Sequence, residues 1–221
     1  MKPCITTLLF LLFFTAASAQ SGHRKVKITT PHGKMIVLLY DETPKHRDNF
    51  IKLVKKHFYD SLLFHRVIKN FMIQGGDPTS KRAQPGDTTL GEGDVGYTVP
   101  AEFNMKLFHK KGVIAAARDD NPAKASSGCQ FYIVQGKKFT DSSLNIVETK
   151  RLKHKIPGYQ REVYKTNGGT PHLDQGYTVF GEVIKGLEVV DKIAGEATDD
   201  RDRPLKDMRM KIRLKKRFLF F

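Results

Sequence analysis

Residues 64–77 read Phe64-His65-Arg66-Val67-Ile68-Lys69-Asn70-Phe71-Met72-Ile73-Gln74-Gly75-Gly76-Asp77. Leu63–Ile68 and Phe71–Gln74 are strand-like runs, and Gly75-Gly76-Asp77-Pro78 ends them. Strict alternation puts Phe64, Arg66 and Ile68 on one side of the first strand and His65 and Val67 on the other. Phe71 and Met72 add large, adaptable apolar surface close by. Gln74 is a neutral amide able to hold an arginine in place. The composite is an apolar pocket with one fixed guanidinium at its rim, and neither a nucleophile nor an acid–base pair accompanies it. The plain alternative is a core strand whose arginine pairs with a surface carboxylate, and for an isolated arginine that alternative is the stronger one.

Working outward, residues 79–98 are rich in Gly, Asp and Thr and read as a long surface loop. Gly112–Ala117 and Gln130–Val134 are two buried-looking strands, with the polar loop Arg118–Gly128 between them. Thr178–Val183 is a further strand, Ile184–Ile193 a turn and short helix. Leu205–Arg217 is a last strand, in which basic residues alternate with Met208, Met210, Ile212 and Leu214 to give one wet face. Upstream, Val26–Thr30 and Lys34–Tyr40 form a hairpin around Pro31-His32-Gly33. Thr43-Pro44 opens a helix, with Thr43 as N-cap and Phe50, Leu53, Val54 and His57 on one face. About eight short strands and two helices predict a mainly β closed barrel or sandwich. Within residues 137–170, Leu144, Val147, Arg151 and Leu152 fall at helical spacing before a break at Pro157-Gly158. A helical insertion on the barrel surface is expected there, with a docking arm for a partner as the functional alternative.

The chain has 221 residues, 39% of them apolar and 28% charged, which suits one packed domain and excludes wholesale disorder. Met1–Gln20 carries Lys2, an apolar run from Ile5 to Phe14 and the small-x-small pattern Ala17-Ser18-Ala19. It reads as a secretory signal peptide, residues 1–19, with the domain over residues 20–221. The run is too short for a spanning helix, which needs about 20 apolar residues, so no membrane span is expected. Export to a periplasm, the extracellular space or a secretory pathway follows. Cleavage leaves Cys129 as the single cysteine, a small buried hydrophobe incapable of an internal disulfide. The net charge is +15, but Lys and Arg are spread along the chain, so a soluble basic protein is preferred to a nucleic-acid binder. The eight His are scattered without ligand spacing, and no metal site is expected. No nucleophile elbow, dinucleotide fingerprint or phosphate-binding loop is present.

The string Phe64–Asp77 resembles the signature of the cyclophilin family of peptidyl-prolyl cis-trans isomerases. Further similarity follows in order at Gly112–Arg118, Ser127–Ile133 and Val179–Val183. The resemblance covers roughly Val26 to Lys216 apart from the inserted segment. It implies a closed eight-stranded antiparallel barrel capped by two helices, and catalysis by Arg66. It implies a proline pocket of Phe71, Met72, Tyr132 and Leu173, with Gln74 and Gln130 flanking the arginine and the peptide. Arg118 stands where a backbone contact to substrate, often from Asn, is usual. His172 takes the place of a frequent Trp, which implies weak inhibition by cyclosporin. Tyr177 takes the place of a frequent His, and Tyr132, for Phe, adds a hydroxyl that must find a partner. The implied partners are proline-containing unfolded or partly folded polypeptides, and no cofactor, ATP or metal is implied.

Three functions compete. The first is a folding isomerase of an exported compartment. The second is a proline-binding chaperone or receptor with incidental isomerisation, for which the arginine is superfluous. The third is a basic envelope-associated protein with a degenerate site.

Overall fold

The computed structural model describes residues 24–84, 87 and 89–215. The expected signal peptide, residues 1–19, lies outside them, as do Lys216 and Arg217 at the end of the expected last strand. The expected hairpin forms from β1 (Arg24–Thr30) and β2 (Gly33–Leu39). Alternation points Val26, Ile28, Met35, Val37 and Leu39 inward, where all five are fully buried. The other main strands are β3 (Phe64–Ile68), β4 (Met72–Gly75), β6 (Val113–Ala116), β8 (Phe131–Val134), β9 (Val179–Lys185) and β10 (Lys211–Leu214). Short segments β5 (Thr98–Val99) and β7 (Ser126–Ser127) pair with each other.

The large sheet has eight strands in the order β10-β1-β2-β9-β6-β8-β4-β3, every neighbouring pair antiparallel. It curls until its two end strands approach. Where they meet there is no continuous ladder. Phe64 N–H donates to Met208 O at 2.9 Å and Met210 N–H to Leu62 O at 2.8 Å, with one isolated bridge between Leu63 and Arg209. The closed barrel expected from the sequence thus reduces to a curled eight-stranded sheet. The last strand is also shorter than expected: residues 205–210 cross the seam irregularly, and only Lys211–Leu214 pair with β1. Their alternation survives, since Met208, Met210 and Ile212 are all buried.

Two helices cover the core, α1 (Pro44–Lys55) and α4 (Leu187–Ala194). They bury Phe50, Ile51, Leu53 and Val54, and Val189, Val190 and Ile193, in one cluster with the inward strand residues. Each such side chain contributes about 1.5–3 kcal/mol. Pro44 opens α1 and Thr43 stands at its N-cap, both as expected, but the Thr43 hydroxyl makes no capping hydrogen bond. The Glu102 carboxylate supplies the capping bonds from a distant loop, accepting from Lys45 N–H and His46 N–H, each at 3.0 Å. A tertiary carboxylate meets the free N–H groups and the positive end of the helix dipole better than a hydroxyl does. His57 does not join the buried face: the helix ends before it, its φ is +57°, and its ring is exposed.

The segment 137–170 is helical, as expected, and holds two more helices, α2 (Asp141–Val147) and α3 (Gly158–Thr166). Thr140 and Ser143 form a reciprocal capping box at the start of α2. A wider turn over Glu148–Leu152 follows, and left-handed Lys153 ends it. The segment has its own small core of Phe108, Leu144, Ile156 and Tyr164. Its two ends meet where the backbones of Gly136 and Gly169 touch, both at positive φ, leaving no room for a Cβ.

Candidate active site

The site is built from one row of the sheet. Arg66 on β3 lies opposite Gln74 on β4, Gln74 opposite Tyr132 on β8, and Tyr132 opposite Ala115 on β6. Opposite residues share a face, so these four side chains leave the sheet together. The same period of two sends Ile73, Phe131 and Ile133 into the main core and leaves Met72, Tyr132 and Val134 in a second cluster on the other face. Ala115, with only a methyl group, leaves room beside the Tyr132 ring.

Strict alternation fails in β3. The pairing with β4 shifts between Phe64 and Arg66, so His65 is an extra residue. Phe64 and Val67 therefore both enter the core, whereas Arg66 and Ile68 stay together on the other face. The bulge is what frees Arg66 from the side predicted to hold Phe64. His65 is buried, and neither ring nitrogen has a protein partner among the described residues. Burial, with a smaller push from Arg66, lowers its pKa to about 4 against the pull of Asp77.

These side chains open onto a cavity of about 400 Å³ walled by Phe71, Met72, Tyr132, Leu173 and Tyr177. Arg66, Gln74 and Arg118 also line it. Met72, Tyr132 and Leu173 belong with Phe71 and Tyr177 to one apolar cluster, which gives the pocket its hydrophobic wall. The Tyr177 ring meets Tyr132 edge-on at 5.9 Å, and the Arg118 guanidinium lies 4.8 Å over Tyr177. Arg118 is pinned further by donating from Nε to Gly176 O at 2.9 Å. It forms the wall shared with an adjoining, larger cavity of about 920 Å³.

Eight of the ten residues read from the sequence as the site meet at the smaller cavity. Gln130 lines the adjoining one. Its amide donates to Gly91 O at 2.8 Å and Gly93 O at 2.9 Å and accepts from Gln74 Nε2 at 3.1 Å. Gln74 thus braces Gln130 and the 91–93 loop rather than the arginine, a correction to its expected role. Asp77 holds the same loop by accepting from Gly91 N–H. His172 lines neither cavity; it stacks on Phe71 from outside, ring centroids 5.7 Å apart.

The partner of Arg66 is Asp202, with Nε 3.4 Å from the carboxylate. This is the pairing the plain alternative foresaw, yet both groups remain about half exposed at the cavity mouth. Asp202 is held by a tight turn in which its own carbonyl accepts from Val67 N–H at 2.7 Å. Sequence reasoning missed Asp202, and also His65, Leu90, Gly91, Glu92, Ala117 and Arg201, which complete the lining. The charge cluster Asp199–Arg203 was the available signal, but nothing local says that it folds back onto β3.

The family pattern described as cyclophilin type peptidyl-prolyl cis-trans isomerase matches residues 25–213. The chain belongs to this family. Among similar cyclophilin-type proteins, a Staphylococcus haemolyticus protein named as a peptidyl-prolyl cis-trans isomerase is 35% identical over 190 residues, covering 86% of this chain and 89% of that one. A Streptococcus pyogenes protein named as a bifunctional phosphatase and peptidyl-prolyl cis-trans isomerase is 37% identical over 187 residues. The match covers 83% of this chain but 37% of that relative. A Cryptosporidium parvum cyclophilin-type isomerase has the same fold, with a TM-score of 0.67 at 22% identity over 89% of this chain and 99% of that one. A second structure of that protein, determined in the presence of the dipeptide Ala-Pro, aligns with a TM-score of 0.65 at 23% identity, over 87% of this chain and 99% of that one. The chain is a cyclophilin-type peptidyl-prolyl cis-trans isomerase. Among the described residues no helix is long and apolar enough to cross a membrane, and no cluster of three or more His, Cys, Asp or Glu is placed to hold a metal.

Proposed function

We propose that Arg66 carries the isomerisation and that the clients are exported polypeptides folding after passage through a secretory route. The observation that supports the first part is the position of its guanidinium at the mouth of a pocket walled by Phe71, Met72, Tyr132 and Leu173. Resonance gives the peptide C–N bond a rotation barrier of about 18–20 kcal/mol. For X–Pro bonds cis and trans are close in energy, yet exchange takes tens to hundreds of seconds. At the twisted midpoint conjugation is lost and the prolyl nitrogen gains an available lone pair. A guanidinium aimed at that nitrogen stabilises the twisted form and barely affects the planar one. Arginine stays charged at neutral pH, so this field is permanent. The apolar walls hold the proline ring while the other side of the bond turns. A 10⁵-fold acceleration needs about 7 kcal/mol from this contact and the desolvation around it.

Asp202 fits this reading as a resting partner for Arg66. The pair is long and half exposed, so an entering peptide displaces it at little cost. Phe71, Met72, Gln74, Arg118, Gln130, Tyr132, Leu173 and Tyr177 bind substrate directly or shape its walls, and His172 supports Phe71. The second part rests on the signal-like Met1–Ala19. We also read the seam between β3 and the 208–210 segment as the closure of a barrel, on the backbone hydrogen bonds that cross it. The test of the central claim is exchange of an X–Pro peptide followed by NMR. Acceleration by the wild-type protein that is lost in Arg66→Ala supports it. Client binding without acceleration would instead favour a proline-binding chaperone.

A further inference from the structure

Behind the pocket lies a buried polar chain that the isomerisation chemistry does not use. The Tyr132 hydroxyl is 2.9 Å from His109 Nε2. His109 Nδ1 is 2.9 Å from Asp174 Oδ1, and its backbone N–H donates to the same oxygen at 2.8 Å. The Tyr164 hydroxyl donates to Asp174 Oδ2 at 2.6 Å. Tyr132, His109, Asp174 and Tyr164 are all buried. A carboxylate only accepts, so His109 Nδ1 carries a hydrogen. The other ring nitrogen, Nε2, and the Tyr132 hydroxyl are each other's hydrogen-bond partner. Each polar atom in the chain thus has a partner, and a fully satisfied buried network is rigid and selects one arrangement.

The chain joins two bodies that otherwise have separate cores. At one end Tyr132 is a wall of the proline pocket. Asp174 follows directly on Leu173, another wall, and its own N–H donates to Pro171 O at 3.1 Å. At the other end Tyr164 sits on α3, packed on Phe108 and Phe139 in the small core of the 137–170 segment. The backbone carries the same connection: Thr170 N–H donates to His109 O at 2.8 Å, and Gly169 bridges to Lys110 and Lys137.

We propose that Tyr164, Asp174 and His109 are positioning residues, through which the 137–170 segment sets the Tyr132 and Leu173 walls of the proline pocket and so the affinity for substrate. This rests on the isomerase reading of that pocket. Arg66 lies on β3, outside the chain of bonds, so the rotation step itself is not governed by it. A change in the segment is therefore felt as a change in proline binding.

The experiment is steady-state and NMR exchange kinetics on one X–Pro peptide with four proteins: wild type, Tyr164→Phe, Tyr132→Phe and the double variant. Both substitutions remove a hydroxyl and keep the ring, so both small cores stay filled. Tyr164→Phe is expected to raise KM roughly three- to tenfold with kcat nearly unchanged. Its effect in the Tyr132→Phe background is expected to shrink to less than half, because the same chain is already cut. A long-range nitrogen–proton spectrum of His109 reports the relay directly: the Nε2 shift moves in Tyr164→Phe as well as in Tyr132→Phe. A lowered melting temperature with unchanged KM in both backgrounds would overturn the proposal and leave the network a structural one. Equal KM effects in both backgrounds would overturn it as well. Should the wild-type protein not accelerate exchange, the isomerase reading fails on its own. The same four proteins then give peptide dissociation constants by titration, which carry the same comparison.

Discussion

At the residue scale, the β3 bulge decides the chemistry. His65 takes up the extra position, and Arg66 is released to the face that also carries Gln74 and Tyr132. His65 then sits buried, with no partner for either nitrogen among the described residues. Its folded pKa, about 4, lies below the ordinary 6.5. The unfolded chain therefore binds the extra proton first, and stability falls as pH drops from 6.5 towards 4. The loss is on the order of 3 kcal/mol at full protonation. Thermal melts at pH 7, 5.5 and 4 are expected to show this decline in the wild-type protein and a flatter one in His65→Asn. A second expectation belongs to His172. It supports Phe71 from outside the cavity and cannot present the edge that a Trp would. Cyclosporin is expected to inhibit weakly, and His172→Trp to strengthen inhibition at least severalfold; equal inhibition constants for the two proteins would refute this.

At the scale of elements, the sequence was most legible where period and burial coincide. The hairpin β1–β2, the pair β3–β4 and strands β6, β8 and β9 all stand where the alternating or apolar runs put them. It was least legible where a distant partner decides. Thr43 has the right identity for an N-cap, but Glu102 occupies the helix end. Gln74 has the right identity to hold Arg66, but it donates to Gln130 instead, and Asp202 pairs with the arginine. No local pattern reveals such long-range choices. The 137–170 insertion was visible as helical spacing, and its anchoring was not. Glu148 holds the segment together from within, through Lys155, Ile156 and Arg161. Burial pushes that carboxyl up, but hydrogen bonds from Lys155, the Ile156 N–H and Arg161 outweigh it and keep its pKa at about 2. A depressed carboxylate contributes stability above its ordinary value of 4.5 and loses it as pH falls towards 2. The methyl signals of Leu144 and Ile156 are therefore expected to broaden or shift across that window in the wild-type protein, and to respond less in Glu148→Gln.

At the scale of the molecule, the curled sheet has one weak line, the seam between β3 and the 208–210 segment. Few backbone bonds cross it, so buried side chains do much to hold its two sides together. Met210 is the central one: it is buried, and its methyl group lies where a Cβ on Gly75 would be. Met210→Ala is expected to cost about 2–5 kcal/mol and to expose the amides of Leu62 and Phe64 to exchange before those of β8. Uniform protection across both strands would show the seam to be as firm as any ladder.

The proposed catalysis turns on a single side chain, Arg66, in a pocket built by the whole sheet. The most direct measurement is cis–trans exchange of an X–Pro peptide, by NMR, with the wild-type protein and Arg66→Ala at equal concentration. Fast exchange with the wild-type protein is expected, with a loss of more than tenfold in kcat/KM for the variant and a nearly unchanged melting temperature. A folded Arg66→Ala protein that isomerises as fast as wild type would contradict it.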